Sequence, residues 1–143
     1  MEFGWPVLQR GRTVQTSFFN FDHSNGFPCT KPAAGVVDVH SVGAWRSYFE
    51  ANKQNNKLLV IEFTATWCGP CRHMEQTIKD FAAKYTDVVF IRIDVDELQH
   101  VAQQFNVTTM PAFSLLKKGK IVDEVAGVKK SELQNKIEKH GMI

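Results

Sequence analysis

Apolar residues are spread unevenly along the chain. Up to about residue 35 they are scattered among Gly4, Pro6, Gly11, Asn20, Asn25, Gly26, Pro28, Pro32 and Gly35 without a sustained period. Such a stretch predicts irregular structure rather than a packed element. From Val36 onward the pattern becomes regular. Val36-Val37-Asp38-Val39 predicts a short strand, and Ser41 a helix N-cap ahead of Val42, Trp45 and Phe49 on one helical face. Residues 58–63 and 88–93 are near-continuous apolar runs, as expected of strands buried on both faces. Met74, Ile78, Phe81, Ala82 and Tyr85 follow a helical period after the first run, and Leu98, Val101, Ala102 and Phe105 after the second. Residues 112–116 and 121–125 predict two strands around Lys117-Lys118-Gly119-Lys120, a hairpin signal. Ser131 then opens a last helix with Leu133 and Ile137 inward.

The predicted order is βαβαβα followed by ββα. Alternation gives parallel strands with helical crossovers, and the closing hairpin adds an antiparallel pair. The expectation is an α/β fold: a five-stranded mixed sheet flanked by about four helices on both faces. Residues 1–35 are read as a largely irregular extension and 36–143 as the folded domain. A chain of 143 residues, 43% hydrophobic and 22% charged, suffices for one domain with a core. A net charge of +2 with dispersed lysines gives no argument for nucleic acid. The apolar runs are too short to span a bilayer, so no membrane span is expected.

Trp67-Cys68-Gly69-Pro70-Cys71 carries the chemistry. Two cysteines two residues apart either exchange a disulfide or hold a metal. Here they lie at a strand-to-helix junction, which favours a dithiol redox site. The N-terminus of a helix has free N–H groups and the positive end of its dipole, so it stabilises a thiolate, the reactive form. Gly69 and Pro70 suit the first turn, where a missing N–H costs nothing. On this reading Cys68 is the more exposed, attacking sulfur, and Cys71, one turn deeper, resolves the mixed disulfide. Zinc would need further ligands. Cys29 and His73 could supply them only through a folded-back extension, and no metal is expected.

Two other signals accompany the cysteines. Met110-Pro111 precedes the fourth strand, and a cis bond there would lay the Met110 backbone beside the dithiol, where an extended substrate could pair with it. Glu62 interrupts an apolar strand six residues before Cys68. A carboxylate buried there is costly unless paired, and desolvation would suit it to exchanging a proton with Cys71. Arg92, which interrupts the next apolar strand, is its expected partner.

Residues from about 36 to 143 resemble thioredoxins, in particular the plant h-type. The resemblance rests on Phe63-Thr64-Ala65-Thr66-Trp67-Cys68-Gly69-Pro70-Cys71-Arg72, Ile93-Asp94-Val95-Asp96-Glu97-Leu98, Thr109-Met110-Pro111, Lys117-Lys118-Gly119-Lys120 and the run from Val125 to Leu133. It implies the thioredoxin fold and protein-disulfide reductase activity, with Cys68 as nucleophile, Cys71 as resolver and Glu62 as the buried acid. It also implies a target-docking surface of Trp67, Met110, the cis Pro111 and Gly127. No bound cofactor is implied beyond the Cys68–Cys71 redox disulfide. The implied partners are NADPH-thioredoxin reductase, with glutathione and glutaredoxin as the alternative donor, and disulfide-containing target proteins. Two positions depart from the family pattern: Gln76 stands where a helix-kinking proline is usual, and His73 where an apolar residue is frequent.

Cys29 lies before the resembling region. It is either an incidental free thiol or a third redox cysteine, since some extended plant members use such a residue to take electrons from glutathione and glutaredoxin. The aromatic residues of the extension, Phe3, Trp5, Phe18, Phe19, Phe21 and Phe27, support a competing reading as a redox-independent holdase or interaction module. The same segment is a poor secretory signal, and Arg10 and Arg12 make it only faintly like a transit peptide. A cytoplasmic location is expected, with the mitochondrion second.

Overall fold

The computed structural model describes residues 35–141. The aromatic-rich segment and Cys29 lie outside the described residues. The chain runs β1 (Val36–Val39), α1 (Val42–Gln54), β2 (Leu59–Thr64), α2 (Gly69–Lys84), β3 (Val89–Asp94), α3 (Gln99–Gln104), β4 (Ala112–Lys117), β5 (Lys120–Ala126) and α4 (Lys130–Gly141). The strands form one sheet in the order β1-β3-β2-β4-β5. β1, β3 and β2 pair in parallel, whereas β4 pairs antiparallel with β2 and with β5. The expected mixed sheet of five strands with four helices is therefore borne out.

The apolar runs are continuous because both sheet faces are covered. On one face Trp45 and Phe49 of α1 and Val101 and Ala102 of α3 pack on Leu59, Ile61, Phe63, Ile91 and Ile93. On the other, Met74, Ile78 and Phe81 of α2 and Leu133 and Ile137 of α4 pack on Val60, Phe90, Phe113, Leu115 and Val125. Alternate residues of each strand serve opposite cores.

Helix ends are where the pattern misleads. Val42 was expected beside Trp45 and Phe49 but is 44% exposed. It is the first residue of α1, next to Ser41, whose Oγ accepts the Ala44 N–H at 3.0 Å. Tyr85 caps the C-terminus of α2, half-buried with its ring against Phe81 at the margin of the core. Its hydroxyl donates to Glu138 and accepts from Gln134 Nε2 at 3.0 Å, tying α2 to α4. α4 starts at Lys130, one residue before Ser131. Between β4 and β5, Lys118 and Gly119 take φ of 55° and 78°, the left-handed pair that a two-residue hairpin loop demands.

Candidate functional site

Parallel pairing brings the C-terminal ends of β2 and β3 to one end of the sheet, where the Val95 N–H donates to the Thr64 carbonyl at 2.9 Å. β4 runs the other way, so its start lies at this same end, with Ala112 opposite Phe63 and the end of β5 beside it, Ala126 opposite Ala112. Three distant stretches therefore converge: the segment around residues 65–71, the segment 95–97, and Met110 and Pro111 with Gly127. Ligands of α/β sheets bind at such carboxyl ends.

Cys68 and Cys71 form a disulfide with a Cα–Cα distance of 5.4 Å. Cys68 is the N-cap of α2 and Pro70 lies in its first turn. The Cys71 N–H donates to Cys68 Sγ at 3.2 Å, so the sulfur occupies the position of a capping acceptor at a helix N-terminus. In the oxidised state Cys68 is only 4% exposed and Cys71 2%. The expected difference in access is therefore nearly absent. Both cysteines pack with Ala65, Val95 and Met110 in a small apolar cluster. Gly69 and Pro70 are exposed, and so is Trp67, at 66%.

Trp67 is held in place despite that exposure: its Nε1–H donates to Asp96 Oδ2 at 2.8 Å. Sequence reasoning gave Asp96 no role. The signal available was the acidic turn after β3, in which Asp94 Oδ1 also accepts the Asp96 N–H at 2.8 Å. The Met110–Pro111 peptide is cis, and Met110 belongs to the disulfide cluster. The Gly127 N–H donates to the Pro111 carbonyl at 2.7 Å. Gly127 has φ +96°, and a Cβ there would meet only Lys129 Cε, at 4.0 Å. The space above this backbone is open, and a left-handed φ favours glycine. Gln76 leaves α2 unbroken from Gly69 to Lys84 and donates through Nε2 to Asp80 Oδ1 at 2.9 Å. His73 is exposed on the same helix.

Glu62 is 1% exposed on β2, and neither of its carboxylate oxygens accepts a hydrogen bond among the described residues. Burial pushes its pKa up from 4.5 to about 7, against the attraction of Arg92, with Glu75 and Asp38 adding to the rise. The expected Glu62–Arg92 pair is corrected. Arg92 stands directly across from Glu62 in the strand register, but its Nε donates to Asp38 Oδ1 at 2.8 Å. Asp38 is nearer solvent, where an ion pair costs less to desolvate. Among the described residues no cluster of His, Cys, Asp and Glu is arranged to hold a metal ion.

The thioredoxin family model matches residues 39–139. The chain belongs to the thioredoxin family. It is 47% identical over 117 residues to thioredoxin H7 of Arabidopsis thaliana, covering 82% of this chain and 84% of that protein. It is 53% identical over 103 residues to thioredoxin H2-2 of rice, Oryza sativa subsp. japonica, covering 71% of this chain and 77% of the relative. The crystal structure of the Nicotiana alata thioredoxin NaTrxh superposes with a TM-score of 0.75 at 52% identity, over 80% of this chain and 99% of that one. These relatives are plant h-type thioredoxins, and with them the Cys68–Cys71 pair makes the chain a thiol-disulfide oxidoreductase with disulfide reductase activity. Thioredoxins act on disulfide-containing targets and are served by reductase partners. No helix among the described residues is long and apolar enough to cross a membrane.

Proposed function

We propose that Cys68 is the attacking sulfur and Cys71 the resolving one. The observation that carries this is the position of Cys68 Sγ as acceptor at the N-terminus of α2. A thiolate there gains from the helix dipole and from the Cys71 N–H, both of which favour the charged form. In the reduced enzyme, Cys68 thiolate attacks one sulfur of a target disulfide, forming a mixed disulfide and releasing one target thiolate. Cys71 gives its proton to ionised Glu62 and attacks Cys68 Sγ. The intramolecular disulfide forms, the second target thiolate leaves, and two electrons have passed to the target. A Glu62 pKa of about 7 suits a group that must accept and return a proton near neutral pH.

Targets dock, on this reading, over Trp67, Met110, Pro111 and Gly127. The exposure of Trp67, its anchor on Asp96 and the open space above Gly127 support this. Gly69 and Pro70 shape the exposed first turn, and Arg92 acts on Glu62 by its charge. The disulfide is the redox group and needs no further cofactor. Electrons come from NADPH through thioredoxin reductase, in the cytoplasm. Residues 36–143 form the catalytic domain and 1–35 an extension to it.

The test is dithiothreitol-driven reduction of insulin. The wild type should accelerate it well above background, and Cys68→Ser should not. Equal rates for the two would overturn the assignment of Cys68.

A further inference from the structure

We propose that Asp38 is a positioning residue for the Glu62 proton: by anchoring Arg92 toward the sheet edge, it denies the buried carboxyl a guanidinium partner. The inference rests on the reading of Glu62 as proton acceptor for Cys71. Asp38 faces Arg92 across β1 and β3, and Arg92 faces Glu62 across β3 and β2. Residues opposite one another in register share a sheet face, so the three form one lateral row of alternating charge. The row runs from solvent to core: the Asp38 side chain is 52% exposed, that of Arg92 19%, and Glu62 is 1% exposed.

Arg92 stands between two carboxylates and has bonded the outer one, at 2.8 Å. The inner one accepts no hydrogen bond among the described residues. Desolvation accounts for the direction. Pairing with Asp38 keeps the guanidinium near water, whereas pairing with Glu62 draws charge inward. The charged groups facing Glu62 are Arg92 from β3, Asp38 from β1 and Glu75 from α2. On the remaining side the row continues into apolar Phe113 of β4 and Val125 of β5. Arg92 is therefore the single cation in the set, and Asp38 is what holds it. Without Asp38, the nearest carboxylate in register for Arg92 is Glu62, which would then ionise more readily.

The experiment is a carboxyl 13C NMR titration of Glu62 in the oxidised full-length protein, with its signal assigned by loss in Glu62→Gln. In Asp38→Asn the midpoint should fall by about one pH unit, and Asp38→Glu should restore the wild-type midpoint. In Arg92→Gln the midpoint should rise, and adding Asp38→Asn to that variant should lower it by clearly less than Asp38→Asn does alone, through the direct field of Asp38 only. An unmoved midpoint in Asp38→Asn overturns the proposal. So does an equal fall with and without Arg92, since that would be the direct field of Asp38 rather than an action through Arg92. The pH dependence of target reduction is read in parallel. If the midpoint falls but the rate profile stays, the assignment of Asp38 stands and the proton-transfer reading of Glu62 fails.

Discussion

The raised pKa of Glu62 carries a stability cost. Its proton is held more tightly in the folded chain, with a pKa of about 7 against an ordinary 4.5, because burial penalises the charge. Below pH 4.5 the group is protonated in both states and costs nothing. Between 4.5 and about 7 the unfolded chain releases the proton first, so stability falls as pH rises, and above that window the loss is complete. A shift of this size corresponds to about 3 kcal/mol. Urea unfolding of the oxidised protein should therefore show the wild type losing about 3 kcal/mol between pH 4 and pH 8 that Glu62→Gln does not lose. Equal pH dependence in the two proteins would mean that Glu62 is hydrated or paired in solution. The acid itself was legible in sequence, as a lone carboxylate in the apolar run 58–63. The partner of Arg92 was not. Only the strand order β1-β3-β2 reveals that Arg92 lies between two carboxylates, and only solvent exposure decides which one it bonds.

At the scale of elements, periodicity read the interiors of strands and helices correctly and failed at their ends. Runs 58–63 and 88–93 are unambiguous because both their faces are buried, whereas Val42 fits a helical period yet sits at a terminus that the core does not reach. Asn52 was invisible for a different reason. It lies in Asn52-Lys53-Gln54-Asn55-Asn56-Lys57, which reads as a solvated helix end, yet it is 4% exposed. Its Oδ1 accepts the Gly119 N–H at 2.7 Å, and its Nδ2 donates to the Lys57 and Leu116 carbonyls at 3.0 and 3.4 Å. One amide thus fastens the end of α1 to the β4–β5 hairpin, the element that carries Gly127 at its far end. Asn52→Ala removes all three bonds and leaves buried backbone groups unpaired, which should cost about 2 kcal/mol in urea unfolding. Asn52→Asp should cost at least as much as Asn52→Ala: it keeps the acceptor for Gly119, but it buries a charge and sets its second oxygen against the Lys57 and Leu116 carbonyls.

For the molecule as a whole, the two cores divide the labour. One fixes α1 and α3 beneath the sheet, and the other fixes α2, whose first turn presents the disulfide, against α4. Both sheet faces are thereby covered from within residues 35–141, and the converging ends of β2, β3, β4 and β5 supply every described group at the site. A chain beginning at Gly35 should accordingly unfold in a single cooperative transition and reduce insulin with dithiothreitol as fast as the full chain does. It lacks Cys29, so the two ways of supplying electrons separate. With NADPH and thioredoxin reductase the shortened chain should keep full turnover, because the Cys68–Cys71 exchange needs only the folded domain. With glutathione and glutaredoxin it should lose turnover if Cys29 is the entry point, and Cys29→Ser in the full chain should lose it to the same degree. Glutathione-driven turnover that survives in Cys29→Ser would make Cys29 an incidental thiol. A shortened chain inactive even with dithiothreitol would show instead that residues 1–34 are part of the working fold.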